Sequence, residues 1–91
     1  RRERAMIPGF NTNLSRGQQA YHVQTEDVGG DTPHVLTLAY RGGAVVAQIK
    51  TPYSERLGPH PSPKAVRALM TSQHRQMIAD IQAGKFEGER R

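Results

Sequence analysis

A two-residue alternation between a more apolar and a more polar face marks the first clear element, over residues 18–25. One face carries Tyr21, Val23 and Thr25, and the other carries Ala20, His22 and Gln24. This period of two is typical of a half-buried β-strand. The pattern predicts no earlier strand, so we expect this one to form an exposed sheet edge that can pair with another chain.

Two further β-rich runs, His34–Arg41 and Ala44–Lys50, flank the dipeptide Gly42-Gly43. A two-residue glycine connection favours a β-hairpin with a primed turn. If Arg41 lies opposite Ala44, one face of the hairpin receives Leu36, Leu38, Tyr40, Val45, Ala47 and Ile49. We expect that apolar face to be covered and the opposite face, with Val35, Ala39 and Val46, to remain open.

A helical period follows a Pro- and Gly-rich connector, residues 51–61, which we expect Tyr53 and Leu57 to anchor. Ser62 can cap the helix, Pro63 suits its first turn, and Gly84 suits the position after its end. The apolar arc contains Val66, Met70, Met77 and Ile81, and the opposite side contains Lys64, Thr71 and Arg75. Gln73 and His74 interrupt the arc, which indicates either the edge of an ordinary core or part of a partner groove.

The segment before the first strand, residues 7–17, is rich in turn-forming residues but also contains Ile7, Phe10 and Leu14. We interpret it as an ordered loop that its apolar side chains hold in place. Asn11, Thr12 and Asn13 fit either local Asx-type turns or a polar contact surface.

These elements predict one α+β domain over residues 7–84, between a flexible basic tail (1–6) and a charged tail (85–91). Its fold is a three-stranded antiparallel sheet with one C-terminal amphipathic helix packed on one face. A chain of 91 residues forms only a small core. Because it contains no cysteine, support from a partner protein or a second copy is the remaining expectation.

The formal net charge of +5 is weak evidence for nucleic-acid binding by the domain, since residues 1–4 and 85–91 carry +3 of it. Lys64, Arg67, Arg75 and the terminal arginines nevertheless keep a nucleic-acid-binding protein as the alternative function. No run of about 18 apolar residues, the length of a membrane span, occurs in the sequence. With no cysteine, this predicts a soluble, cytoplasmic protein.

Recognisable catalytic or ligand-binding motifs are missing. Neither glycine pair is followed by the Lys-Ser/Thr of a phosphate-binding loop, and Glu26 and Asp27 diverge in an extended chain. The histidines, His22, His34, His60 and His74, lie in four separate segments without metal-ligand spacing. With Tyr40 on the covered face, the sheet also lacks an aromatic platform for RNA. We therefore predict no enzyme activity, cofactor or metal.

Five segments carry a resemblance: Ile7-Pro8-Gly9-Phe10-Asn11-Thr12-Asn13, Tyr21-His22-Val23-Gln24-Thr25-Glu26-Asp27, Thr51-Pro52-Tyr53 after the Gly-Gly hairpin, Gln73-His74-Arg75, and Ala83-Gly84-Lys85-Phe86. Over nearly the whole chain this pattern resembles a family of small, largely uncharacterised bacterial proteins. It is also similar to a small polarity adaptor that works beside a Ras-like motility GTPase. The resemblance implies that a partner faces two polar segments, the loop Asn11-Thr12-Asn13 and the strand end Gln24-Thr25-Glu26-Asp27.

The sequence therefore favours a non-enzymatic protein–protein interaction module or accessory subunit of a larger bacterial assembly. We expect it to bind through its sheet edge and its uncovered sheet face. The candidate partner-binding residues are Asn11, Thr12, Asn13, His22, Gln24, Glu26 and Asp27. Lys64, Arg67 and Arg75 are the candidates for the nucleic-acid alternative.

Overall fold

The computed structural model describes residues 7–87. The predicted basic tail, residues 1–6, and the last four residues of the predicted C-terminal tail lie outside this range. In chain order the elements are β1 (Phe10–Arg16), β2 (Gln19–Val28), β3 (His34–Arg41), β4 (Ala44–Pro52), a one-turn helix α1 (Ser54–Leu57) and α2 (Pro63–Gln82). This confirms an α+β fold with an antiparallel sheet and a C-terminal helix.

The sheet has four strands in the order β1-β2-β3-β4, so the predicted count of three is wrong. The segment interpreted as an ordered loop forms β1, which pairs antiparallel with β2 from Phe10 opposite Thr25 to Arg16 opposite Gln19. Pairing with a neighbouring strand overrides the turn preference of its Asn and Ser residues. β2 is consequently an inner strand, and the prediction that it forms a sheet edge is also wrong.

The β3–β4 hairpin has the predicted turn but a different register. Arg41 lies opposite Ala44 and Tyr40 opposite Val45, after which a bulge at Val46 brings Ala39 opposite Ala47. The predicted sidedness is reversed for β3 and for Val45, whereas Ala47 and Ile49 on β4 lie on the covered side, as predicted. Helix α2 covers Val35, Thr37 and Ala39, which are fully buried, and Leu36, Leu38 and Tyr40 lie on the other face.

The size of the side chains explains this reversal. The covered face of β3 carries Val35, Thr37 and Ala39 and the open face carries Leu36, Leu38 and Tyr40, so the helix does not cover the more apolar face. Val35 and Ala39 are small and allow α2 to bring Met70 and Met77 close to the sheet. The bulge at Val46 changes the alternation of β4 itself, so that Val45 lies on the open face and Ala47 on the covered face.

Helix α2 begins and ends as its capping residues predict. The Ser62 hydroxyl accepts a hydrogen bond from the Ala65 backbone N–H at 3.1 Å, and Pro63 occupies the first turn. Gly84, just beyond the C-terminal end, has a φ of 76°, which favours glycine. The buried side of the helix carries Val66, Met70, Gln73, His74, Met77 and Ile81.

Two apolar clusters form the core between α2 and the sheet. One contains Tyr21, Val23, Ala39, Met77 and Ile81, and the other contains Val35, Tyr53, Val66 and Met70. Gln73 and His74 lie between the two helical segments that supply these clusters, opposite the buried Thr25 and Thr37. A polar layer therefore divides the core.

A threonine from each of the four strands contributes to this polar layer. The His74 ring lies 2.9 Å from the Thr12 hydroxyl and 2.7 Å from the Thr25 hydroxyl, which lies 2.7 Å from the Thr37 hydroxyl. Gln73 continues the network to Thr37 and Thr51. No buried side-chain polar atom within residues 7–87 lacks a hydrogen-bond partner.

Residues 85–87, which we predicted to belong to the C-terminal tail, contact the end of the sheet. Phe86 packs against the cluster that contains Tyr21, and its carbonyl accepts a hydrogen bond from Arg41 at 2.8 Å. Glu87 accepts hydrogen bonds from the Tyr21 hydroxyl and the Arg16 guanidinium, both at 2.8 Å. These contacts join the turn after α2 to β1, β2 and β3.

Candidate functional site

The sheet face opposite α2, here called the open face, brings together five of the seven candidate partner-binding residues. They share this face because each set follows the two-residue period of its strand. The five are Asn11 and Asn13 on β1 and His22, Gln24 and Glu26 on β2. Paired positions form continuous rows across the strands, for example Asn13, His22, Tyr40 and Val45.

His22 is held between two asparagines of the neighbouring strand. Its Nδ1 atom lies 2.7 Å from Oδ1 of Asn13, and its Nε2 atom lies 3.2 Å from Oδ1 of Asn11. On the other side, the Tyr40 ring has its centroid 6.0 Å from that of His22. These contacts position the ring and turn both asparagine side chains inward toward β2.

An apolar ridge runs beside this polar half of the open face. Leu36, Leu38 and Tyr40 on β3 are half-buried, and Val45 on β4 is 52% exposed. Across the strand pair, Tyr40 faces His22, Leu38 faces Gln24, and Leu36 faces Glu26. The open face thus combines an apolar strip with a flank of hydrogen-bonding groups. Sequence reasoning missed the ridge because it placed these β3 residues beneath the helix.

The other two candidates, Thr12 and Asp27, lie on the covered side of the sheet. Thr12 contacts His74 in the polar layer. Asp27 is buried and accepts a hydrogen bond from the Tyr53 hydroxyl at 2.6 Å. Both residues therefore take part in the interior of the fold. The alternation Tyr21, Val23, Thr25, Asp27 carries the signal that could have placed Asp27 there.

The candidates for the nucleic-acid alternative lie on the other side of the molecule. Lys64, Arg67 and Arg75 line a shallow depression of about 660 Å³ on the exposed side of α2, together with Ala68, Thr71, Ser72, Gln76 and Ala79. The depression has no acidic side chain in its lining. The Arg67 guanidinium carbon lies 5.5 Å from the centroid of the Phe10 ring, which holds that cation against the fold.

Tyr40 lies on the open face of the sheet, whereas our prediction that the sheet does not bind RNA placed it on the covered face. Phe10, Tyr21 and Tyr53 belong to the helix side of the sheet, and Phe86 packs on the core. Within residues 7–87, Tyr40 is thus the one Phe or Tyr side chain of the open face, which is fewer than the paired stacking residues of RNA-binding sheets.

His74 is the one buried histidine among residues 7–87. Burial lowers its pKa below the ordinary value of 6.5, and the charge of His22 lowers it further. The ring is consequently neutral at pH 7, with a threonine hydroxyl against each nitrogen. No group of three or more His, Asp or Glu side chains in residues 7–87 is placed to hold a metal ion.

None of the helices in the described part of the chain has the length and apolar character needed to cross a membrane. Comparison of the sequence and the fold with family models, curated proteins and solved structures finds no match in any of the three. The open face and the basic side of α2 are therefore the two candidate binding surfaces.

Proposed function

We propose that this protein is a non-enzymatic protein-interaction module, an accessory subunit of a larger bacterial assembly in the cytoplasm, and that its open face binds a partner protein. The observation that carries the proposal is the apolar ridge of Leu36, Leu38 and Tyr40 beside the row of polar groups on β1 and β2. An apolar centre with a polar margin is the usual composition of a protein–protein interface.

The charges of the open face favour a protein over a polyanion as the ligand. Glu26 at one side of the ridge and Lys50 at the other have opposite signs, and both are exposed. A phosphate backbone would require several cations on one surface. The partner that fits presents apolar side chains to Leu38 and Tyr40 and hydrogen-bonding groups to His22 and Gln24.

The position of His74 supports a non-enzymatic role. This histidine has the lowered pKa that often marks a general base. It lies in the core between Thr12 and Thr25, where both ring nitrogens are already engaged. A general base must instead reach the proton of a bound substrate.

The experiment that tests the proposal is affinity capture from native lysate with three forms of the chain. Leu38→Lys places a charge in the middle of the ridge, while Gln76→Lys places the same charge on the exposed side of α2. We expect the wild type and Gln76→Lys to recover the same partner and Leu38→Lys to lose it. Equal recovery by all three forms would show that the open face is not the binding surface. Matching far-UV circular dichroism spectra confirm folding.

Nucleic-acid binding is the second candidate function, and the acid-free lining of the basic depression on α2 favours it. If Lys64, Arg67 and Arg75 each neutralise one phosphate, the logarithm of affinity should fall with the logarithm of salt with a slope of about −2.7. The terminal arginines of this alternative lie outside the described residues.

A salt titration with a random DNA duplex separates this candidate from the first. Lys64→Glu with Arg75→Glu should abolish binding if the depression is the site, and Lys50→Glu on the opposite side is the matched control. Binding that is weak in the wild type, or equally reduced by both changes, would exclude the basic side of α2 as a nucleic-acid site.

A further inference from the structure

The outer edge of β1 has few of the features that prevent strands from pairing with other chains. The strand has seven residues, Phe10–Arg16, and carries no charge before Arg16 and no proline. An exposed sheet edge presents unpaired N–H and C=O groups, and native proteins usually protect it with charges, prolines or bulges. β1 is thus an available template for pairing.

Within residues 7–87 no strand pairs with the outer edge of β1, and several of its side chains make contacts toward β2 and α2. Asn11 and Asn13 contact His22 on β2, and Thr12 contacts His74 on α2. Arg16 donates to the Gln82 carbonyl and to Glu87, so its charge is directed toward the end of α2. Each of these contacts draws a side chain away from the position where another strand would lie.

The opposite edge of the sheet, β4, is protected in the usual way. It has a bulge at Val46, an exposed lysine at position 50 and Pro52 near its end. Each of these features disfavours the addition of a strand. The contrast between the two edges indicates that β1 is the edge that accepts a partner.

We propose that two copies of this chain pair antiparallel through β1 and join their sheets into one of eight strands. Directly opposite residues of an antiparallel pair point to the same face of the sheet. The twofold axis between the two strands must therefore lie level with one residue, and not midway between two successive residues. Full overlap of Phe10–Arg16 places that axis at Asn13, which then faces its own copy. Asn11 faces Ser15 of the second copy, and both α2 helices lie on the same face.

The occupant we favour is a second copy because the strand is self-complementary and the domain is small. In this register the uncharged residues 11–15 pair among themselves. Leu14 and Ile78, both half-buried on the helix side, add apolar area beside the junction. A strand of seven residues spans about 23 Å. A contact of this length buries less surface than the roughly 1,200–2,000 Å² of stable complexes, so the dimer is weak and reversible.

Two charge variants test the register. Asn11→Lys with Ser15→Lys places a lysine against a lysine twice across the proposed junction, whereas Asn11→Lys with Ser15→Glu places a lysine against a glutamate. Sedimentation velocity up to about 1 mM should show a dimer for the wild type and the opposite-charge variant and a monomer for the like-charge variant. Both variants change Asn11, so the loss of its contact with His22 cancels in the comparison. A monomeric wild type, or equal masses for the two variants, would overturn the proposal.

The absence of cysteine allows an independent test by single-cysteine cross-linking. Asn13→Cys would meet its own copy at a Cα separation of about 4.5–5.5 Å, which a disulfide spans. Ser15→Cys would lie about 13 Å from its own copy along the strand. We expect the first variant to form a disulfide dimer and the second to remain a monomer. The reverse result would refute the register. This inference extends the proposed interaction function to the sheet edge, and because it measures self-association it can fail while open-face binding stands.

Discussion

The Nδ1 atom of His74, in the middle of α2, lies 2.7 Å from the hydroxyl oxygen of Thr25, at the centre of the sheet. Through this contact the helix joins a network that reaches all four strands. Because every buried polar atom of this layer needs a partner, helix and sheet fit together in one relative position.

The first prediction concerns the removal of His74. His74→Ala leaves the Thr12 and Thr25 hydroxyls without this partner and opens a cavity beneath α2. We expect the free energy of unfolding to fall by about 2–4 kcal/mol. His22→Ala, on the open face, should cost less than about 1 kcal/mol. Urea denaturation measures both, and similar losses for the two variants would contradict a structural role for the polar layer.

The second prediction is that stability decreases in mild acid. Burial lowers the pKa of His74 in the folded state below 6.5, so the unfolded chain binds this proton more readily than the folded chain. The free energy of unfolding should therefore be highest above pH 6.5 and fall as the pH drops from there to the folded pKa. His74→Gln removes this titration, so its pH profile between 7.5 and 5 should be flatter. Parallel profiles would show that His74 does not cause the dependence.

The third prediction concerns the turn that follows α2. Gly84 has a φ of 76°, and an added Cβ would lie 3.1 Å from the Arg16 guanidinium. Gly84→Ala should therefore lower stability by about 1 kcal/mol or more, since strain and contact act together. Gly29→Ala is the control, because its φ is ordinary and no atom lies within 4 Å of the added carbon. Thermal denaturation should show a lower Tm for Gly84→Ala alone.

The fourth prediction concerns the buried hydroxyl of Tyr53. Tyr53→Phe removes the donor that lies 2.6 Å from Asp27 Oδ1 and keeps the ring in its apolar cluster. We expect a loss of about 1–3 kcal/mol, because a buried carboxyl group loses a donor. Tyr40→Phe, on the half-exposed open face, provides the control with the same chemical change. Chemical denaturation that gives equal values for both would contradict the role of this hydrogen bond.

The sequence predicted elements whose signals are local. The Gly42-Gly43 turn and the capped helix from Pro63 depend on residues close in the chain, and both are present. β1 was missed because Asn11 and Asn13 favour turns in isolation, while their strand conformation depends on pairing with β2. That pairing is a property of the assembled sheet.

The residues of the candidate site were likewise predictable only where the sequence signal is local. The alternation within β2 was enough to place His22 and Gln24 on one face. Asn11 and Asn13 were assigned to a loop, and they share that face only because β1 forms a strand. The apolar ridge could not be placed, since the register of β3 depends on the bulge at Val46 and on the space that α2 requires. Side-chain size, rather than hydrophobicity, decided which face the helix covers.

Site-specific photo-crosslinking in living cells shows whether the open face binds a protein. A photoreactive phenylalanine analogue at position 40 replaces an aromatic ring of the ridge, and the same analogue at position 76 reports on the exposed side of α2. We predict that position 40 yields a discrete covalent adduct with one protein and that position 76 does not. An adduct from position 76 with none from position 40 would contradict binding through the open face.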